Sequence, residues 1–185
     1  MSTKRVLTLL GVAALYAIGG FSCAEVADQL RIALPKLPFN PFFYVPLPFA
    51  ILSAALFLRT AKAWLAAPLN VAAFPVALGV LAFLDAIAAP FWARMCLAGA
   101  TGGLLLALAD SICHPRLLSQ SSLPPAVYIG AIVALPFAAY ESSWKIDCSG
   151  DFWCTWGLQC SFAIWQASLG TYLYAVCTHR DNASG

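Results

Sequence analysis

The sequence predicts an all-α membrane protein, a bundle of about six transmembrane helices, from its composition and from the lengths of its apolar stretches. Hydrophobic residues make up 62% of the 185 residues, charged residues make up 10%, and the mean hydropathy is +0.82. Soluble domains average about 45–50% apolar and about 25% charged residues. About six apolar stretches approach the roughly 20 residues that a bilayer-spanning helix needs. Together they fill the chain, so we expect one integral-membrane domain over residues 1–185.

The first span is predicted over Val6–Phe21, directly after Lys4 and Arg5. A short basic start, an apolar stretch and small residues behind it are also the layout of a secretory signal. Because the rest of the chain is itself apolar enough to lie in the membrane, we favour an uncleaved helix; cleavage would leave five spans. Residues Ala24–Leu34 are predicted to form a short amphipathic helix at the interface.

Five further apolar stretches follow a proline cluster that begins at Pro35. They are predicted as spans over Val45–Leu58, Ala63–Ala89, Trp92–Ser111, Pro124–Tyr140 and Phe152–Thr178. Pro68 and Pro75 lie inside the third span, and proline lacks the backbone N–H that a helix interior needs. These two residues therefore predict a kinked or broken third helix.

Lysine and arginine placement predicts the orientation. With a cytoplasmic N-terminus and six spans, the cytoplasmic side carries Lys4, Arg5, Arg59, Lys62, Arg116 and Arg180, and the outer side carries Arg31, Lys36, Arg94 and Lys145. Basic residues favour the cytoplasmic side of short loops. We therefore expect both termini in the cytoplasm, and the short loops favour a bacterial inner membrane.

Ionisable side chains close to the bilayer are candidate functional groups, because they are costly in hydrocarbon. Asp85 and Arg94 lie on either side of the short Ala89–Pro90 turn, so an ion pair is expected. Such a pair either clamps the hairpin or contributes to a ligand or proton site. Asp110, near the end of the fourth span, is expected to be an acid at the interface, and a proton-accepting group is the alternative.

Amide side chains in the spans are the second group of candidates. Gln159, Gln166 and Gly170 follow one another at spacings that keep them on roughly one helical face. Asn70, between the two prolines of the third span, is the natural counterpart on another helix. These amides either join helices by hydrogen bonds or form the wall of a ligand pocket. The predicted ligand-binding set is therefore Asn70, Asp85, Arg94, Gln159 and Gln166.

Gly99 and Gly103 form a G-x-x-x-G motif in the fourth span. Small residues at this spacing let two membrane helices approach closely. The motif predicts close helix packing, against either another span or another protein.

Three classes of function remain open. Single, scattered basic residues form no nucleic-acid patch, and the chain has no G-x-S-x-G, H-E-x-x-H or Gly-Lys phosphate-binding motif. A small-solute carrier, or the membrane-embedded binding component of a transporter, is one class. A non-catalytic accessory, assembly or immunity-type subunit acting through helix contacts is the second. A membrane enzyme acting on lipid or quinone has the weakest support, and no metal or cofactor is assigned. The expected partners are the bilayer and either a small molecule or another membrane protein.

Cys148 and Cys154 flank Gly150 in the polar segment before the last span. The predicted orientation places this segment in an oxidising compartment, where a disulfide closing a small loop is favoured. Two thiols and a redox-active pair are the alternatives. The redox pair is the weaker alternative, because such sites usually have a C-x-x-C spacing.

Alkylation of the unfolded protein tests this disulfide. Without reductant, we expect Cys148 and Cys154 to resist alkylation while the other five of the seven cysteines are labelled. After reduction, all seven should be labelled, as read by mass spectrometry of the peptides. Labelling of both residues without reductant would show that the two thiols are not joined.

Overall fold

The computed structural model describes residues 2–33, 45–58, 62–136 and 152–178. Within these ranges the protein is all-helical, as predicted, with six α-helices and no strand. The helices are α1 (Thr3–Ala33), α2 (Leu47–Leu56), α3 (Ala63–Ala86), α4 (Phe91–Ser111), α5 (Leu123–Ile132) and α6 (Phe152–Thr178). A 3-10 turn, Pro115–Leu118, joins α4 to α5.

Three of the described helices are long and apolar enough to cross a membrane: the Thr3–Cys23 part of α1, α3 and α4. The described residues therefore have the helices of a membrane protein, but they do not confirm six spans. Helices α2 and α5 have 10 residues each. At 1.5 Å per residue, each is about 15 Å long, roughly half the 30 Å hydrocarbon core. The second half of the predicted fifth span lies outside the described residues.

Helix α1 is longer than predicted. It continues from Thr3 to Ala33, so the predicted first span and the predicted interfacial helix are parts of one helix. The physical reason is that the first proline of the chain is Pro35, and nothing before it removes a backbone donor. A hydrogen bond of 2.9 Å from Gln29 Nε2 to Glu25 Oε1 adds side-chain support one turn apart.

Helix α3 contains both prolines and is continuous from Ala63 to Ala86, so it is not broken. Each proline removes the hydrogen bond to the carbonyl four residues earlier, at Trp64 and Val71. Membrane helices tolerate this loss where neighbouring groups satisfy the backbone. Asn70 lies between the two prolines, and its side chain is buried.

Helices α1 and α6 pack along each other, and the order of their contacts makes them antiparallel. Gly20 of α1 faces the backbone of Phe162 on α6. One turn earlier on α1, the ring of Tyr16 covers Gly170 of α6. A Cβ atom on Gly170 would lie 2.7 Å from ring atoms of Tyr16, closer than real Cβ contacts. Glycine at this position therefore lets the tyrosine ring lie flat against α6.

Helix α4 packs against α3 on one side and α5 on the other. Both glycines of the G-x-x-x-G motif contact α5. A Cβ atom on Gly99 would overlap the carbonyl oxygen of Gly130, and one on Gly103 would overlap that of Ala126. The motif is therefore used for close packing between two helices of the same chain.

Alanine substitution at Gly103 tests this backbone contact. Gly103→Ala should lower the free energy of unfolding by about 1–3 kcal/mol, because the added methyl has no space beside the Ala126 carbonyl. Gly79→Ala is the matched control, since a Cβ at Gly79 on α3 would meet nothing within 4 Å. Thermal unfolding of both variants in one detergent gives the comparison. Equal midpoints would contradict the close α4–α5 contact.

Candidate functional site

A cavity of about 530 Å³ lies between the α3–α4 pair and the side of the bundle formed by α2 and α6. This volume lies within the range of about 300–1,000 Å³ that is typical of small-molecule sites. Its walls are apolar, apart from the side chains of Asn70 and Gln166. The apolar walls include Phe49 of α2, Phe74, Ala77, Leu78 and Leu81 of α3, Met95, Ala98, Gly102 and Leu106 of α4, and Leu158, Phe162 and Trp165 of α6.

The cavity follows the axes of α3 and α4. On α3 it extends from Asn70 to Leu81, and on α4 from Met95 to Leu106. Each stretch covers about 16 Å of helix at 1.5 Å per residue. Because the two helices form an antiparallel hairpin, Leu81 and Met95 lie at one end, and Asn70 and Leu106 lie at the other.

Gln166 lies toward the Asn70 end of this cavity. Trp165 of α6 contacts Gly102 of α4, and Cys177 lies close enough to Asp110 for electrostatic interaction. Helix α6 therefore runs parallel to α4, with Leu158 toward the Met95 end. The two polar lining residues thus lie in the same half of the cavity, and the other half is apolar.

Asn70 and Asp110 form a buried hydrogen-bonded pair at the polar end. Asn70 Nδ2 donates to Asp110 Oδ1 over 2.8 Å, and the two residues are only 1% and 0% exposed. Asp110 is therefore buried inside the bundle in the last turn of α4, and its position at the membrane interface stays a prediction. The chain after α4 folds back over this residue: His114 Nε2 donates to the Phe57 carbonyl over 2.8 Å, and Leu117 is fully buried.

Three buried oxygen atoms at this end have no hydrogen-bond partner within the described part of the chain: Asn70 Oδ1, Asp110 Oδ2 and Gln166 Oε1. An unsatisfied buried polar group costs about 1–3 kcal/mol, so each such atom needs an explanation. All three are hydrogen-bond acceptors. Asn70 and Gln166 line the cavity, but these oxygen atoms have almost no accessible surface, and Gln166 Oε1 lies 3.7 Å from the position that a Cβ atom on Gly19 of α1 would take.

A second buried polar contact, between Tyr16 and Ser53, lies beside the cavity and was not predicted. The Tyr16 hydroxyl and Ser53 Oγ are 2.8 Å apart, and both residues are fully buried. The Tyr16 ring packs on Phe49, a cavity residue, with ring centroids 5.1 Å apart. A buried tyrosine needs a hydrogen-bond partner for its hydroxyl group. The position of Tyr16 inside an apolar span could therefore have predicted a polar partner on another helix.

Asp85 and Arg94 form the expected ion pair beside the α3–α4 turn. The Arg94 guanidinium also lies over the Phe91 ring, 5.0 Å from its centroid. Asp85 is 69% exposed, and an exposed pair of this kind contributes at most about 1 kcal/mol. Neither residue lines the cavity. The geometry fits a clamp on the α3–α4 hairpin.

Gln159 does not line the cavity either. Leu158, Phe162 and Trp165 form the α6 face of the cavity, with Gln166 at its edge. Two helical turns separate Gln159 from Gln166, and that spacing carries Gln159 slightly beyond this edge. The predicted ligand-binding set therefore separates: Asn70 and Gln166 share the cavity, and the other three residues lie elsewhere.

Cysteines and metal ligands offer no further site in the described residues. Among them, no group of three or more His, Cys, Asp or Glu side chains is placed to hold a metal ion. The five cysteines with described side chains do not form disulfides with one another. Cys148 lies outside the described residues, and the side chain of Cys154 is not described, so their disulfide stays a prediction.

Paired substitutions test the Asn70–Asp110 hydrogen bond. Asn70→Leu should lower the free energy of unfolding by about 1–3 kcal/mol, because it leaves the buried Asp110 carboxyl group without its donor. Adding Asp110→Leu should cost little more, since removal of both partners leaves no unpaired polar group. Gln159→Leu is the control, because it removes an amide side chain that takes no part in the Asn70–Asp110 pair. Strictly additive losses in thermal unfolding would contradict the pair.

Comparisons with known proteins give no match: no protein-family model, no curated protein and no solved structure is similar to this chain. The candidate function therefore rests on the cavity and on the residues that form it.

Proposed function

We propose that this protein binds an apolar small molecule within the membrane, as a carrier or as the membrane-embedded binding component of a transporter. The observation that supports this proposal is the 530 Å³ cavity, whose two polar residues lie toward one end. The cavity runs beside α3 and α4, which are both long enough to span a bilayer. A ligand there would be surrounded by protein at the depth of the lipid chains.

The apolar walls favour a lipid-like ligand over a hydrated solute. A sugar, an amino acid or an ion would lose its hydration and find only two amides in exchange, and burying unpaired polar groups is costly. An apolar chain that moves from the bilayer into the cavity has no hydration to lose. Leu78, part of the wall, is 39% exposed, which favours entry from the lipid side of α3.

Two other classes of function have less support. An accessory subunit was favoured by the G-x-x-x-G face, but Gly99 and Gly103 already pack against α5. A membrane enzyme on lipid or quinone needs acid–base groups at the substrate. Within the described residues, no ionisable side chain lines the cavity. We therefore favour binding without chemical conversion.

The cellular setting belongs to the same proposal. The short loops favour a bacterial inner membrane, and the distribution of lysine and arginine favours both termini in the cytoplasm. In that orientation, the segment with Cys148 and Cys154 faces the oxidising side. The α3–α4 turn with the Asp85–Arg94 pair faces the same side.

A cavity-filling substitution tests this function. The probe is tritiated dodecyl methyl ether, a single apolar chain, bound to immobilised protein in mild detergent and counted by scintillation proximity. Ala77→Phe places a ring in the cavity and should weaken saturable binding by at least about tenfold, since the ring occupies space that the chain needs. Ala82→Phe is the matched control, because Ala82 lies on the same helix, is exposed and does not line the cavity.

Wild-type protein and Ala82→Phe should bind the ether equally. Absence of saturable binding to wild-type protein, or equal binding by Ala77→Phe, would overturn the proposed function. Monodisperse elution and similar thermal midpoints for the two variants establish that the comparison reports on the cavity.

A further inference from the structure

We propose that the cavity binds ligands in which an aromatic ring carries a saturated alkyl chain. The ring lies among the aromatic side chains of the cavity, and the chain extends past them toward Leu81 and Met95. This inference rests on the proposed function and names its ligand class.

The aromatic side chains of the cavity form two ring pairs that come from three helices. Phe74 of α3 packs on Phe162 of α6, with ring centroids 5.8 Å apart. Phe49 of α2 packs on Trp165 of α6, with ring centroids 6.1 Å apart. Phe162 and Trp165 are three residues apart, so their side chains lie on the same face of α6. The four rings therefore form one continuous aromatic wall.

Each ring pair has one covered member and one member with accessible surface. Phe49 and Phe162 are only 1% and 7% exposed, whereas Phe74 and Trp165 are partly exposed. The covered rings support the other two from behind. Because Phe74 and Trp165 both line the cavity, they are the rings with surface left for a ligand.

Phe74 and Trp165 lie at the same level of the cavity. A Cβ atom on Gly102 of α4 would lie 3.0 Å from the Trp165 ring and 3.9 Å from the Cβ atom of Ala77. Ala77 follows Phe74 by about one turn of α3, so both rings lie within one turn of this contact. A single ring-sized group at this level can therefore contact both side chains.

The other end of the cavity has no aromatic residue in its described lining. The lining residues there are aliphatic or thioether side chains: Leu78, Leu81, Met95 and Leu158. A saturated chain packs against such side chains without a geometric requirement. The difference between the two ends therefore sets the direction of the ligand, with its ring at the aromatic wall and its chain toward Met95.

Apolar burial alone does not select an aromatic ring here. A saturated ring and an aromatic ring both leave the bilayer for an equally apolar cavity, so neither gains from dehydration. An aromatic ring carries a quadrupole, and aromatic pairs in tilted or offset geometry are more stable than their buried area explains. Both ring pairs of the wall already have tilted geometry. A third ring in contact with Phe74 and Trp165 gains the same interaction, and a saturated ring does not.

Competition between two ligands of matched shape tests this preference. Unlabelled 1-phenyloctane and 1-cyclohexyloctane, at equal mole fraction in the detergent, compete with the tritiated dodecyl methyl ether on wild-type protein. We expect phenyloctane to bind about fivefold more tightly, the ratio that one aromatic contact gives. Equal affinities, or tighter binding of cyclohexyloctane, would overturn this inference and leave the proposed function standing. Failure of the ether itself to bind would overturn both.

Variants assign the preference to the aromatic wall. Phe74→Leu should bring the phenyl-to-cyclohexyl affinity ratio toward one, because it removes the ring and keeps an apolar side chain. Phe83→Leu is the matched control and should keep the wild-type ratio, since Phe83 lies on the same helix, is 65% exposed and does not line the cavity. Similar thermal midpoints for the two variants establish that both are folded. A wild-type ratio in Phe74→Leu would overturn the assignment.

Fluorescence tests where the ligand ring lies. Bromine quenches tryptophan fluorescence on contact, and within the described lining of the cavity the one tryptophan is Trp165. We expect 1-bromo-4-octylbenzene, with bromine on the ring, to quench more strongly than 8-bromo-1-phenyloctane, with bromine at the chain end. Trp165→Phe keeps a ring for the ligand and should lose the saturable quenching. Equal quenching by the two ligands, or unchanged quenching in Trp165→Phe, would overturn this placement of the ring.

Discussion

Close backbone contact at glycine is the interaction on which this bundle depends. In a bilayer, association of helices gains little from apolar burial, so packing at short range decides which helices pair. Gly20 and Gly170 bring α1 and α6 together, and Gly99 and Gly103 bring α4 and α5 together. Each position has a backbone or ring atom where a side chain would otherwise lie. These contacts set the spacing within the α1–α6 and α4–α5 pairs.

The cavity lies between the α3–α4 pair and the side of the bundle formed by α2 and α6, where the side chains do not fill the space. Ala77 and Ala98 are small, while Trp165 packs closely against Gly102. The polar groups at one end are buried: Asn70 donates to Asp110, and both residues are almost fully covered by the bundle.

The sequence predicted much of this from local rules. Apolar length and composition predicted an all-α membrane protein, and the structure places α4 and α6 within one residue of their predicted starts. Charge placement across the Ala89–Pro90 turn predicted the Asp85–Arg94 pair. Local rules failed to predict helix lengths, because the length of a packed helix depends on the helices beside it. Helices α2 and α5 have only 10 residues each, and α1 continues past the predicted end of the first span. Apolar runs do not reveal where a packed helix ends.

The sequence by itself determined that this is a membrane protein, because composition alone separates a lipid-embedded chain from a soluble one. The sequence also identified Asn70 and Gln166 as polar residues in apolar spans, where burial without a hydrogen-bond partner is costly. Only the tertiary structure decided which groups surround them. Register between helices brought these two amides to one cavity, left Gln159 outside, and buried Asp110 behind Asn70. Periodicity fixes the face of a helix on which a residue lies, but partners on other helices are set by packing, which is a property of the whole bundle.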